Sequence, residues 1–99
     1  MTEIKITSDE VGEDFISALS EVIKIRKDRR LQYGDTYLSD DLQFLKYQLE
    51  NKLKRLNMQM KDGTIISQDK NIECAKDSCI DICNYSLFLL AKILKGDKK

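Results

Sequence analysis

The 99-residue chain contains no histidine, no proline and no tryptophan, and only four glycines and three cysteines. Without histidine, nucleophilic catalysis by a Ser-His or Cys-His pair is excluded. Cys74, Cys79 and Cys83 are odd in number and show no C-x-x-C spacing, so neither a zinc site nor a disulfide framework is expected. Any chemistry is left to carboxylates, Lys, Arg, Tyr, backbone groups or a hard metal ion.

The chain also lacks a long apolar run and an excess of charge of either sign. No stretch approaches the roughly 20 apolar residues that span a bilayer, and the N-terminal segment lacks the order of a signal peptide. We therefore expect a cytoplasmic protein with no membrane partner. Because 17 basic residues balance 17 acidic ones, a nucleic-acid partner is not expected unless a local basic patch supplies it.

What the chain does have is apolar residues at helical spacing in three long stretches. They predict an all-α fold in one domain, 1–99, with main helices at about 8–31, 40–57 and 70–94 and an excursion at about 58–69. A chain of this length builds only a modest core, so we expect the bundle to be completed by homo-oligomerisation.

Local signals mark the helix ends. Thr7 with Glu10 fits a capping box, Gly34 is a natural stop for the first helix, and Ser39 is placed to cap the second. Asp62-Gly63 predicts a turn within the excursion.

The third helix has two distinct faces. The broad face predicted as core contains Ile72, Ala75, Cys79, Ile82, Cys83, Ser86, Leu90 and Ile93. On the opposite side, Glu73, Asp77, Asp81 and Asn84 form a polar stripe that continues into Phe88. Because a stripe running into Phe88 is atypical of a solvated surface, the acids are predicted to lie at the edge of buried space, with a plain acidic face as the alternative.

Two carboxylates at i and i+4, such as Asp77 and Asp81, repel each other unless a cation lies between them. Mg²⁺, or Mn²⁺, would satisfy this need, since hard cations prefer carboxylate oxygens. Lys52 and Arg55 on the second helix offer the alternative of salt bridges to these acids, or of phosphate binding in their own right.

The first helix ends in a basic cluster. Arg26, Arg29 and Arg30 emerge where its apolar stripe stops, and a turn containing Tyr33 follows. The helix dipole favours such a cluster in any protein. The cluster is also suited to hold phosphates, with Tyr33 or Tyr37 stacking on a base.

The order of these elements, namely Tyr33-Gly34, then Lys52-x-x-Arg55, then Asp77-x-x-x-Asp81-x-x-Asn84-Tyr85 followed by apolar residues, resembles the small phage and bacterial nucleotide-modification-associated domain family. That family is similar to the all-α nucleoside triphosphate pyrophosphohydrolases of the MazG and dUTPase type. The resemblance covers residues 26–93.

The resemblance implies an oligomeric helical protein with a nucleotide site between helices. By position it implies Asp77 and Asp81 as catalytic, Mg²⁺-facing acids, Lys52 and Arg55 facing phosphate, and Asn84 with Tyr85 shaping the pocket. The enzymes of that type carry a second acidic pair on a facing helix, whereas here the centre of the second helix has only Glu50. A complete two-metal site is therefore not expected from the matching helices alone, and the missing metal ligands would have to come from Glu73, Asp40, Asp41 or a second subunit.

The sequence leaves three functions open. The first is a Mg²⁺-dependent nucleotide pyrophosphohydrolase of phage or bacterial origin, which would act in the host cytoplasm if phage-encoded. The second is a non-catalytic protein that binds or sequesters a nucleotide signal, as an anti-defence protein would. The third is a helical oligomeric interaction module without a ligand.

Overall fold

A computed structural model describes residues 4–65 and 69–96, and of residues 69–73 it describes the backbone only. The described part is almost entirely helical, which confirms the all-α fold class. In chain order its elements are α1 (Ser8–Val11), α2 (Glu13–Tyr33), a 3₁₀ turn (Thr36–Ser39), α3 (Leu42–Gln59), β1 (Met60–Lys61), β2 (Thr64–Ile65) and α4 (Asp69–Leu94).

The segment predicted as one first helix is broken at Gly12. This glycine has φ +95° and ψ 146°, a conformation that L side chains rarely adopt, and it separates the single turn α1 from the long helix α2. At the start of α1 the Thr7 N–H donates to Glu10 Oε1 at 3.0 Å, as in a capping box. The long helix therefore begins at Glu13 rather than near residue 8.

The connection between α2 and α3 is short and internally bonded. Gly34 ends α2 with φ +65°, and its N–H donates to the Arg30 carbonyl at 2.8 Å. The side chain of Asp41 caps α3 by accepting from the Phe44 N–H at 2.7 Å. Ser39 was the predicted cap, and that prediction was wrong because Ser39 lies inside the 3₁₀ turn and donates to the Thr36 carbonyl instead.

A minimal hairpin follows α3. Strands β1 and β2 pair antiparallel, with Met60 opposite Ile65. The turn residues Asp62 and Gly63 both have positive φ, 53° and 76°, which is the requirement of the type I′ turn that suits two-residue hairpins. Residues 58 and 59 belong to α3, so the excursion is shorter than predicted at its start.

The apolar core is small and lies between the three long helices. Helix α4 packs mainly on α3 and to a smaller extent on α2. Leu45 of α3 is completely buried, and Val22, Ala75 and Ile80 are the other buried apolar side chains in the described part of the chain. Leu53, eight residues after Leu45 on α3, is 50% exposed.

The predicted core face of the third helix is only partly buried in the single chain, since Ala75 is buried as predicted but most of its other described residues are exposed. Cys79 and Cys83 are exposed, and Leu90 and Ile93 are 48% and 55% exposed. The side of α4 that meets the other helices instead buries four polar residues, Ser78, Asp81, Asn84 and Lys92. This is physically possible because partners satisfy their polar atoms, on neighbouring elements for Ser78, Asp81 and Lys92 and on α4 itself for Asn84. No buried side-chain nitrogen or oxygen within residues 4–65 and 74–96 lacks a hydrogen bond.

Candidate functional site

Two of the three arginines at the end of α2 converge on one carboxylate. Asp35 directly follows Gly34 in the turn after α2, and its Oδ1 accepts from Arg26 at 2.7 Å and from Arg30 Nε at 2.8 Å. Its Oδ2 accepts from Arg30 Nη2 at 2.9 Å, so the Arg30 fork binds it in a bidentate way. These hydrogen bonds from Arg30 hold the pKa of Asp35 below its usual value, and the same carboxylate raises the pKa of Arg30.

The third arginine reaches across to α4. Asp81 is only 9% exposed, and its Oδ1 accepts from Arg29 Nη1 at 2.6 Å. Its Oδ2 lies 3.4 Å from Lys52 Nζ of α3. One buried carboxylate of α4 is therefore neutralised by cations from α2 and α3, and it ties the three long helices together.

Aromatic rings occupy the space beside these ion pairs. Tyr37 of the 3₁₀ turn stacks on Phe88 of α4, with ring centroids 4.5 Å apart and planes at 9°. Tyr85 meets Phe88 edge to face at 5.6 Å. The guanidinium carbon of Arg26 lies 5.0 Å from the Phe88 centroid and 5.5 Å from that of Tyr37, in cation–π range of both.

A lysine within the apolar end of α4 holds the 3₁₀ turn in place. Lys92 is 6% exposed, and its Nζ donates to the Leu38 carbonyl at 3.1 Å and to the Asp40 carbonyl. The ammonium thereby fixes the segment that carries Tyr37 against α4. The position of the aromatic stack follows from this anchor.

These groups surround a cavity of about 130 Å³, referred to below as the Arg-Tyr cavity. Its lining consists of Arg26, Arg29, Tyr33, Gly34, Thr36, Tyr37, Asp40, Tyr85 and Phe88. Partial burial, followed by the nearby Asp81 carboxylate, raises the pKa of the Tyr85 hydroxyl above its usual value. A second cavity of about 350 Å³ shares Arg26, Tyr37 and Phe88 with this one and has a mainly apolar lining.

The structure brings some of the predicted site residues together and leaves others apart. Arg26, Arg29, Tyr33 and Tyr85 line the Arg-Tyr cavity, whereas Arg30 does not line it and is joined to Arg26 through Asp35. Lys52 and Asp81 join the cluster through Arg29.

The remaining predicted residues lie elsewhere. Asn84 is buried, donates to the Ile80 carbonyl of its own helix at 3.2 Å and lines the second cavity. Arg55 and Asp77 are exposed, and the side chain of Glu73 lies outside the described residues.

Sequence reasoning missed Asp35 and Lys92. Asp35 follows the helix-ending Gly34 and lies five residues after Arg30, so a helix end with basic residues and an acid just past the stop was a usable signal. Lys92 is the only charge within residues 85–94, and a lone charge in such a run indicates a buried partner.

Of the three predicted magnesium ligands, the side chains of Asp77 and Asp81 are described and that of Glu73 is not. Both oxygens of Asp81 face cationic nitrogens, so this carboxylate already has its counter-charge. Residues 4–65 and 74–96 contain no group of three or more His, Cys, Asp or Glu side chains placed to hold a metal ion. Magnesium remains a prediction from the resemblance.

None of the helices within residues 4–65 and 69–96 has the length and apolar character that a membrane-spanning helix requires.

The chain matches no protein-family model, and neither the curated proteins nor the solved structures contain one that is significantly similar to it.

Proposed function

We propose that the protein binds a small nucleotide-like ligand, a flat base with a phosphate, at the Arg-Tyr cavity and does not hydrolyse it. The observation that carries this proposal is the convergence of arginine forks and tyrosine rings from α2, the 3₁₀ turn and α4 on one cavity. An aromatic platform contributes about 1–3 kcal/mol for each stacked base. Arginine binds phosphate oxygens through two parallel hydrogen bonds.

Arg29 and Tyr33 are the side chains most available to a ligand. The Arg29 side chain is 47% exposed and donates from Nη1 to Asp81, which orients the guanidinium and uses only part of its five N–H donors. Tyr33 is 60% exposed at the mouth of the cavity, so its ring can stack on a base. Arg26 and Tyr37, in contrast, are already packed against Phe88 and form the wall of the site.

Size and charge restrict the ligand. A cavity of about 130 Å³ is smaller than the roughly 300–1,000 Å³ of sites that enclose drug-sized molecules, so it takes one ring or one phosphate while the rest of the ligand lies at the surface. The local cations Arg26, Arg29, Arg30 and Lys52 are almost balanced by the carboxylates Asp35, Asp40 and Asp81. A site with so little excess positive charge favours a nucleoside monophosphate or a cyclic mononucleotide over a triphosphate.

The pairing of Asp81 with two cations supports a binding role without hydrolysis. The resemblance implies that this acid faces a metal ion, but here its oxygens are engaged by Arg29 and Lys52, which supports a positioning role for Asp81. A protein that holds a nucleotide in this way sequesters it from other proteins. Pyrophosphohydrolase activity, which the resemblance implies, is a distinct outcome of the experiment below.

The test is a thermal-shift and calorimetry screen with nucleoside monophosphates, cyclic mononucleotides and triphosphates, with and without Mg²⁺. Product release is measured in the same samples. At ten times its Kd a ligand stabilises the folded state by about 1.4 kcal/mol, which raises the Tm of a domain this size by about 5 °C or more. We expect this shift with a mono- or cyclic nucleotide in the absence of Mg²⁺ and without product. Failure of every nucleotide to bind would refute the proposal, and turnover of a triphosphate with Mg²⁺ would replace it with the hydrolase.

Matched variants locate the site. Tyr33→Ala is expected to weaken binding about 5-fold or more, because a stacking platform is lost, whereas Tyr47→Ala, which removes a tyrosine of similar exposure on α3, leaves it unchanged. Arg29→Lys keeps the charge and loses the fork, so it is also expected to weaken binding. If Arg55→Lys has the larger effect, the ligand binds along α3, as the resemblance implies, and the Arg-Tyr cavity is not the site.

A further inference from the structure

One face of α4 is apolar, exposed and regularly spaced. Cys79, Cys83, Ser86, Leu90 and Ile93 follow one another at intervals of four, three, four and three residues, which is the spacing of a coiled-coil seam. All five are exposed in the single chain. This set, called the α4 seam, lies on the opposite side of the helix from the buried Asp81.

The chain as a whole has more surface than a compact monomer of its size. It exposes 8024 Å², whereas a folded monomer of 11.5 kDa is expected to expose about 5,800 Å². Its radius of gyration is 15.1 Å, compared with about 12.6 Å for a compact domain of 99 residues. The excess of about 2,200 Å² belongs to the whole chain, including the exposed α1 segment, and a stable protein interface takes roughly 800 Å² from each partner.

The side chains of the α4 seam are small at one end and large at the other. Cys79 and Cys83 are small, and beside them a groove of about 390 Å³ opens between α4 and α2, floored by Ala18, Val22 and Ile80. Leu90 and Ile93 at the other end are large and project into solvent. Large residues at one end and a groove at the other are complementary only if two seams run in opposite directions.

We propose that the α4 seam is the interface with a second copy of this chain, packed antiparallel about a two-fold axis at Ser86. Ser86 is midway between Cys79 and Ile93, so the antiparallel arrangement places Leu90 and Ile93 of one copy over the groove beside Cys83 and Cys79 of the other. The interface is then isologous and closed, as in most homodimers. The small side chain of Ser86 allows the two helices to approach to the usual 8–10 Å.

This dimer leaves the Arg-Tyr cavity on another side of α4, so its failure would not count against the proposed function. Sedimentation equilibrium of the 99-residue chain is expected to give twice the mass of 11.5 kDa. Leu90→Lys is expected to weaken the dimer at least about 30-fold, the factor that corresponds to a hot-spot loss of about 2 kcal/mol. Leu31→Lys, which changes a 90% exposed leucine of α2 outside the seam, is expected to have no effect. If the wild-type protein stays monomeric at about 100 µM or above, the proposal is wrong and the seam binds a different protein.

A cross-link tests the orientation. In a chain carrying Cys74→Ala and Cys83→Ala, the further change Ile93→Cys places its thiol next to Cys79 of the second copy in the antiparallel arrangement, whereas a parallel dimer would pair each thiol with its own counterpart. Mild oxidation is expected to give a covalent dimer in which peptide mapping finds position 93 joined to Cys79, within the reach of ordinary disulfide geometry. Leu31→Cys in the same background is the control for random collision. If both variants cross-link equally slowly while circular dichroism shows the native helix content, the antiparallel arrangement is wrong.

Discussion

Replacing Asp81 by Asn tests the central ion-pair cluster. The change keeps the size of the side chain and removes the charge that Arg29 and Lys52 share. A hydrogen bond to a charged group contributes about 1.5–3 kcal/mol, and loss of a fully buried ion-pair partner costs about 3–5 kcal/mol. Since the Arg29 side chain is 47% exposed and can regain water, while Lys52 is only 21% exposed, we expect a loss of about 2 kcal/mol. The corresponding decrease in Tm is about 8–16 °C.

Asp77→Asn provides the matched comparison, because Asp77 lies one turn earlier on α4 and is exposed. Its free energy of unfolding is expected to change by no more than about 0.5 kcal/mol. Chemical denaturation in urea at pH 7 without added metal measures both variants. If Asp77 and Asp81 were instead an equivalent metal-binding pair, removing either charge would relieve repulsion, and neither variant would be less stable in the absence of metal. Equal stability of Asp81→Asn and the wild type would therefore refute the ion-pair interpretation.

Two further predictions concern the anchors of the Arg-Tyr cavity. Lys92→Met removes the donor to the Leu38 and Asp40 carbonyls and is expected to lower the free energy of unfolding by about 1–3 kcal/mol. Chemical denaturation measures this loss beside the exposed control Lys95→Met. An equal effect of the two substitutions would contradict the anchoring role of Lys92. For Asp35, whose pKa is lowered in the folded state, the stabilisation is present above the unfolded pKa of about 3.9 and is lost as the pH falls through the lower folded value. The difference in Tm between wild type and Asp35→Asn should thus be constant from about pH 5 to 7 and shrink below about pH 4. If the difference in Tm persists at low pH, the contacts of Asp35 with Arg26 and Arg30 do not act through charge.

Features that depend only on residues close together in the sequence were predictable. The stop at Gly34 and the Asp62-Gly63 turn both follow from backbone conformations that few residue types adopt easily, and both were predicted. The cluster of Arg26, Arg29 and Arg30 was also predicted, since it only requires counting along one helix.

The pairing of Arg29 with Asp81 joins residues 52 positions apart, and periodicity carries no information about such a contact. The orientation of α4 was mispredicted for a related reason. Its seam looks like a core face on a helical wheel, and the polar side is buried only because Arg29, Lys52 and the carbonyls of the 3₁₀ turn satisfy it. Which of two candidate faces of a helix is buried depends on the residues that it packs against, and the sequence does not show which residues those are.

The placement of the tyrosines gives the protein a built-in optical reporter. The chain has no tryptophan and four tyrosines, so its intrinsic ultraviolet emission comes from tyrosine alone. Three of the four, Tyr33, Tyr37 and Tyr85, line the Arg-Tyr cavity, and only Tyr47 lies elsewhere, on α3. Any molecule that enters the cavity therefore perturbs most of the fluorophores at once, and occupancy can be followed on the unlabelled wild-type chain.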